Sequence, residues 1–263
     1  MRETKKQKKT AKQQVYTILY LICILVFLFS LYKVVDGVFE YREAEKIYEE
    51  TQDEFIKVPE EEKKEIPIEV DFDELLKINS DIVGWIYIDD TVVNYPILQS
   101  TDNQYYLDRT LYKGYLASGS IFLDYRSSSN FTDSHSIIYG HNMKNHTMFG
   151  DMDDFEEGEY MEEHPYVYIL LPDGQCWKYA IYSAYIADVY DGTFNLHQAA
   201  GCDFVSFIDL TLSKNIYTEE YVDEDVLPDG ADKIITLSTC TEDSDDYRRF
   251  VVHAVFVEEV EEK

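Results

Sequence analysis

The sequence predicts a mainly β protein: a small closed barrel of about eight short strands, with an N-terminal helical part and one inserted amphipathic helix. Two observations carry this. Short runs rich in Val, Ile, Tyr and Phe recur from Ile82 onward between turn residues, with few helical patterns among them. Strands this short leave exposed edges, and closing the set on itself removes them. The 263 residues, 45% of them hydrophobic, suffice for one substantial core of roughly 150–200 residues plus additions.

The elements follow in order. Arg2, Lys5, Lys6, Lys8, Lys9 and Lys12 form a basic tail opposed only by Glu3. Val15 to Tyr32 then runs eighteen residues without a charge, long enough for a membrane-spanning helix, with Lys33 able to snorkel at its far end. A cleaved signal peptide fits less well, because the apolar run exceeds a signal core of about 7–15 residues and no small-x-small site follows. The basic tail predicts a cytoplasmic N-terminus and an external remainder. Phe39 to Phe55 favours helix by its Glu and Lys content, and reads as a juxtamembrane spacer. Lys57 to Pro67 is charged, holds prolines near both ends and reads as a linker. The expected divisions are therefore 1–14 cytoplasmic tail, 15–35 transmembrane signal-anchor, 36–68 juxtamembrane helix and linker, and 69–260 external domain.

In that domain, Phe72, Leu75, Leu76 and Ile78 mark a short helix. Ile82–Ile88 and Thr91–Gln99 are strands, the second carrying Pro96, which marks an edge or bulge. Thr101–Leu107 reads as a capped turn into a brief helix, and Ser118–Asp124 and Ser134–Tyr139 as further strands. Asp153–Met161 reads as a short acidic helix. Tyr166–Leu171 and Trp177–Tyr190 flank a Pro-Asp-Gly turn and form a hairpin. Cys202–Leu212 spaces Phe204, Phe207, Ile208, Thr211 and Leu212 as one helical stripe. Two final strands flank the acidic loop TEDSDD.

Charge narrows the function. Outside residues 1–12 the chain holds 17 basic against 51 acidic residues, a balance unsuited to binding nucleic acid. Four cysteines fit no zinc spacing; Cys176 and Cys202 are either paired or two separate thiols, and Cys240 is left as the candidate working thiol. It ends a strand on whose more polar face alternation places Thr236 and Ser238. Only a thiolate attacks, and a cation favours it; Arg248 and Arg249 lie eight and nine residues on, across the loop. Histidine is the usual proton donor. Of six, His135, His146, His164 and His197 carry no further signal, which leaves His141, after a strand and a glycine, and His253, within the last strand.

These residues match a family pattern. The run Thr236-Leu237-Ser238-Thr239-Cys240, then Arg249-Phe250-Val251-Val252, with Tyr139-Gly140-His141-Asn142-Met143 upstream, resembles the sortases, cysteine transpeptidases of Gram-positive cell surfaces, and specifically class B. The likeness spans about residues 70 to 257 and includes the block from Asn79 to Leu107. It implies an eight-stranded sortase barrel with Cys240 as nucleophile, His141 as general acid/base and Arg249 as oxyanion or substrate stabiliser. Asn103, Leu107, Ser238 and Thr239 correspond to substrate-groove positions. It further implies cleavage of an N-P-x-T-type C-terminal sorting signal after Thr and transfer of the surface protein to a peptidoglycan amine, with no metal or organic cofactor. Two rival readings are a papain-like peptidase using Cys240 and His253, and a membrane-tethered barrel without chemistry.

Overall fold

The computed structural model describes residues 11–57, 67–218, 221, 226–240 and 247–260. The first ten residues of the basic tail, most of the predicted linker and the TEDSDD loop lie outside the described residues.

Helix α1 spans Ala11–Phe55. Its part within residues 1–43 forms one unit, and 44–263 form another. The apolar part of α1 is long and apolar enough to cross a membrane, and its Val15–Phe39 side chains are largely exposed. The last turns of α1 belong to the larger unit: Ala44, Tyr48, Thr51 and Phe55 are buried, recurring every three or four residues as one helical face requires. Tyr48 makes an edge contact with Tyr95 at 5.3 Å and donates to the Gly119 carbonyl at 2.6 Å. The strands β1 (Ile56–Lys57) and β2 (Glu69–Val70) pair across the predicted linker. Asp71 then caps α2 (Phe72–Ile78), its side chain accepting from the Glu74 amide.

The eight remaining strands close into the predicted barrel. They are β3 (Ile82–Tyr87), β4 (Asn94–Leu98), β5 (Ile121–Leu123), β6 (His135–Tyr139), β7 (Tyr166–Leu170), β8 (Cys176–Asp188), β9 (Ile234–Cys240) and β10 (Arg248–Val260). Their order is β10-β8-β7-β3-β4-β5-β6-β9, closing β9 onto β10. Among the described residues only β4–β5 and β6–β9 pair in parallel. Pro96 falls where β4 faces β3 alone, since pairing with β5 begins at Ile97, so its missing amide costs no ladder bond on that side. The acidic segment forms a 3₁₀ turn (Met152–Glu156) followed by α3 (Gly158–Glu163). Cys176 is a buried free thiol and Cys202 an exposed one, so the two are unpaired.

The inserted helix α4 (Cys202–Lys214) covers the barrel's outer face: Phe204, Phe207 and Ile208 pack with Tyr182, Ile234 and Val255. Each of those three helix side chains contributes about 1.5–3 kcal/mol by burial. Beneath α4 runs a buried polar chain. His135 Nδ1 lies 2.9 Å from the Asn195 carbonyl and its Nε2 lies 2.8 Å from Thr236 Oγ1, which lies 2.8 Å from His253 Nδ1. A carbonyl only accepts, so His135 carries its proton on Nδ1 and takes the Thr236 hydroxyl proton at Nε2. Thr236 Oγ1 then accepts from His253 Nδ1–H, and His253 Nε2 is left as a buried acceptor without a partner among the described residues.

Burial pushes both imidazoles down, His135 to about 3. They stay neutral in the folded chain but protonate near pH 6.5 when unfolded. Their stabilisation is therefore full above about pH 6.5 and is lost as pH falls toward the folded-state values, at up to ~1.4 kcal/mol per pH unit per ring. His253→Asn keeps an N–H toward Thr236 and removes one titrating group. Urea unfolding at pH 7 and pH 5 should show a loss of stability about 2 kcal/mol smaller in this variant than in the unmodified chain; equal losses would contradict the neutral chain.

Candidate active site

The site lies where β6, β9 and β10 reach one rim. Tyr139 on β6 pairs in parallel with Ser238 on β9, and the Gly140 amide extends that ladder to the Ser238 carbonyl at 3.1 Å. His141 is two residues beyond Tyr139, and Cys240 two beyond Ser238, so register sets them at one level. On the other side Cys240 pairs with Arg249. The order across the rim is His141, Cys240, Arg249, on neighbours spaced by about 4.8 Å where strands pair.

Local chemistry holds His141 there. A Cβ on Gly140 would lie 2.5 Å from Ile121 and 2.6 Å from Phe149, so the chain leaves β6 only as glycine. The segment folds back through an Asn142–Met148 bridge and a Phe149 amide bond to the His141 carbonyl at 3.0 Å. Met148, at φ 58°, donates its amide to Tyr95 Oη at 3.0 Å. His141 Nε2 lies 2.7 Å from the Leu107 carbonyl. Since that oxygen only accepts, Nε2 carries a proton and Nδ1 is left as the second ring nitrogen.

A groove of about 340 Å³ runs beside the rim and is lined by Asn103, Leu107, His141, Ser238, Thr239 and Arg249. That volume suits a short peptide segment. All the predicted groove positions are thus gathered here, together with His141. Arg249 donates to the Arg248 carbonyl at 2.8 Å and lines the groove, whereas Arg248 is exposed and does not. The Ser238 and Thr239 hydroxyls are buried without partners among the described residues. Phe122, Tyr139, Val189 and Phe194 complete the walls and were not singled out as groove residues from sequence. Tyr139 stood inside the matched His141 run, and its alternation with Ile137 was the available signal.

The rival base does not reach the site. His253 pairs with Thr236, four residues or about 13 Å along the ladder from Cys240, and is fully buried. Among the described residues no cluster of His, Cys, Asp or Glu is arranged to hold a metal ion.

A barrel that gathers a cysteine, a histidine and an arginine at one rim, beside a peptide-sized groove, has the make-up of a cysteine acyltransferase. A family model described as a sortase domain matches residues 86–257. Sortase B of Listeria monocytogenes is 33% identical over 229 residues, covering 86% of this chain and 90% of its own. Sortase B of Staphylococcus aureus is 30% identical over 244 residues, covering 92% and 96%. The crystal structure of sortase B from B. anthracis in complex with AAEK1 superposes with a TM-score of 0.70 at 31% identity, covering 84% of this chain and 99% of that one. The chain belongs to the sortase family, class B, and is a cysteine transpeptidase. This sets aside both the papain-like and the non-catalytic readings.

The Leu107 carbonyl depends on Gly119, which sits at φ +56° with an imagined Cβ only 2.4 Å from that oxygen. Gly119→Ala should lower stability by more than about 2 kcal/mol, the left-handed strain plus the clash, and lower turnover by displacing the oxygen that holds His141. Thermal melts and peptide turnover check both; an unchanged turnover in the folded variant would detach His141 from this contact.

Proposed function

We propose that the chain cleaves an N-P-x-T-type C-terminal sorting signal after Thr and joins the surface protein to a peptidoglycan amine. The Cys240 thiolate, its proton held on His141 as an imidazolium, attacks the Thr carbonyl carbon, and Arg249 stabilises the oxyanion. The intermediate collapses to a Cys240 thioester as the C–N bond breaks and His141 gives a proton to the leaving amine. The acceptor amine then attacks the thioester, surrenders a proton to His141, forms the new amide and releases the thiolate. What carries this reading is the register that sets His141, Cys240 and Arg249 at one level beside the groove. The unpartnered Ser238 and Thr239 hydroxyls suit hydrogen bonds to a peptide backbone.

Residues 15–35 anchor the enzyme in the cell membrane, with the N-terminus cytoplasmic and the catalytic domain outside. The long apolar helix and the basic residues before it support this topology. The full chain should then resist alkaline extraction from membranes, and deletion of 15–35 should release it.

Peptide turnover tests the roles. His141→Ala should cost about 10²–10⁴-fold and Arg249→Ala about 10²–10³-fold in kcat. Arg248→Ala and His253→Asn should stay within a few-fold. Loss of acylation in Arg248→Ala alone would reverse the arginine assignment.

A further inference from the structure

Behind the groove lies a buried carboxylate that the chemistry above does not use. Asp124 follows β5, and its side chain is 0% exposed. Oδ1 accepts from Arg126 Nε at 2.9 Å and the Arg126 amide at 3.0 Å. Oδ2 accepts from Arg126 Nη2 at 2.8 Å, Asn103 Nδ2 at 2.9 Å and Tyr139 Oη at 3.0 Å. Burial alone would push this carboxyl up, but the hydrogen bonds from Arg126 and Asn103 outweigh it and hold it below the usual carboxylate range. Burial and the neighbouring Asp124 charge push the Tyr139 phenol up, so it keeps its proton.

Two of these five donors belong to groove residues. Asn103 is fixed at both ends, because its Oδ1 also accepts the Tyr125 amide at 2.9 Å. Its amide orientation therefore follows from its partners, and one N–H and one lone pair remain for the groove. Tyr139 spends its only O–H on Asp124, so it offers the groove a ring rather than a donor.

We infer that Asp124 is a positioning residue that sets the polar pattern of the peptide groove by orienting Asn103 and Tyr139 from behind. It acts on peptide binding and leaves the reactivity of the thiol alone. This rests on the groove being the sorting-peptide site proposed above.

Three outcomes separate the possibilities, with the full chain in detergent and a sorting-signal peptide as substrate. In Asp124→Asn an amide N–H₂ replaces one acceptor oxygen against these donors, and KM should rise at least about tenfold, kcat changing by less than about threefold. The rate of Cys240 alkylation by iodoacetamide should not change. Should that variant fail to fold, Asp124→Leu with Arg126→Met removes both charges together, so that the buried carboxylate is not simply left without its cation, and KM should still rise. An unchanged KM in a folded variant, or an equal fall in kcat and in alkylation rate, would overturn the positioning role. An unmodified chain that turns over no sorting-signal peptide would instead reject the parent reading, and this inference with it.

Discussion

The parallel pairing of β6 with β9, with β10 closing on β9's other edge, is the constraint on which the site depends. It places the ends of β6 and β9 and the start of β10 on one rim, with Cys240 between the residues that flank it. Side chains alternate along a strand, so a one-residue slip of β9 would turn its whole set to the opposite face. The slip is opposed on both faces at once. Ile235 and Leu237 belong to the main core, and Ile234 packs under α4. The Thr236 hydroxyl joins two buried histidines, and a one-residue slip would turn it away from both.

The same logic extends to the groove. Tyr48, on the last turns of α1, contacts Tyr95, which accepts the Met148 amide in the His141 loop. Tyr48 also donates to the Gly119 carbonyl, beside the turn that presents the Leu107 oxygen to His141. One helix face thus braces both sides of His141. Asp124 does the corresponding work for Asn103 and Tyr139. Tyr48, Tyr95 and Asp124, which hold the groove, are all buried, as pre-organised binding requires.

Much of this was legible in the sequence, because barrel strands alternate and turn residues punctuate them. All eight barrel strands, the Asp71-led helix and the α4 stripe follow from local pattern. His141 and Cys240 could be named but not placed together, since the parallel β6–β9 pairing joins segments about a hundred residues apart and leaves no local trace. The face Ala44, Tyr48, Thr51, Phe55 was present as a spacing, but Thr51 and the surrounding glutamates hid it. Asp124 was the least visible: its partners Asn103 and Tyr139 lie 21 and 15 residues away, and an aspartate ending a strand ordinarily reads as a turn residue. Cys240 and His253 come to one face only through the β9–β10 register, and the Thr236 bond, full burial and the contact with Phe207 of α4 mark His253 as structural.

The central claim is that the rim formed by these three strands makes a thioester on Cys240. Intact-mass spectrometry of the full chain, incubated with a sorting-signal peptide library in the absence of an amine, tests it most directly. The account predicts a covalent adduct of the signal's N-terminal fragment, mapped to Cys240 and discharged by an added amine. A chain that forms no adduct with any peptide, while its Cys240 thiol stays free to alkylate, would contradict it.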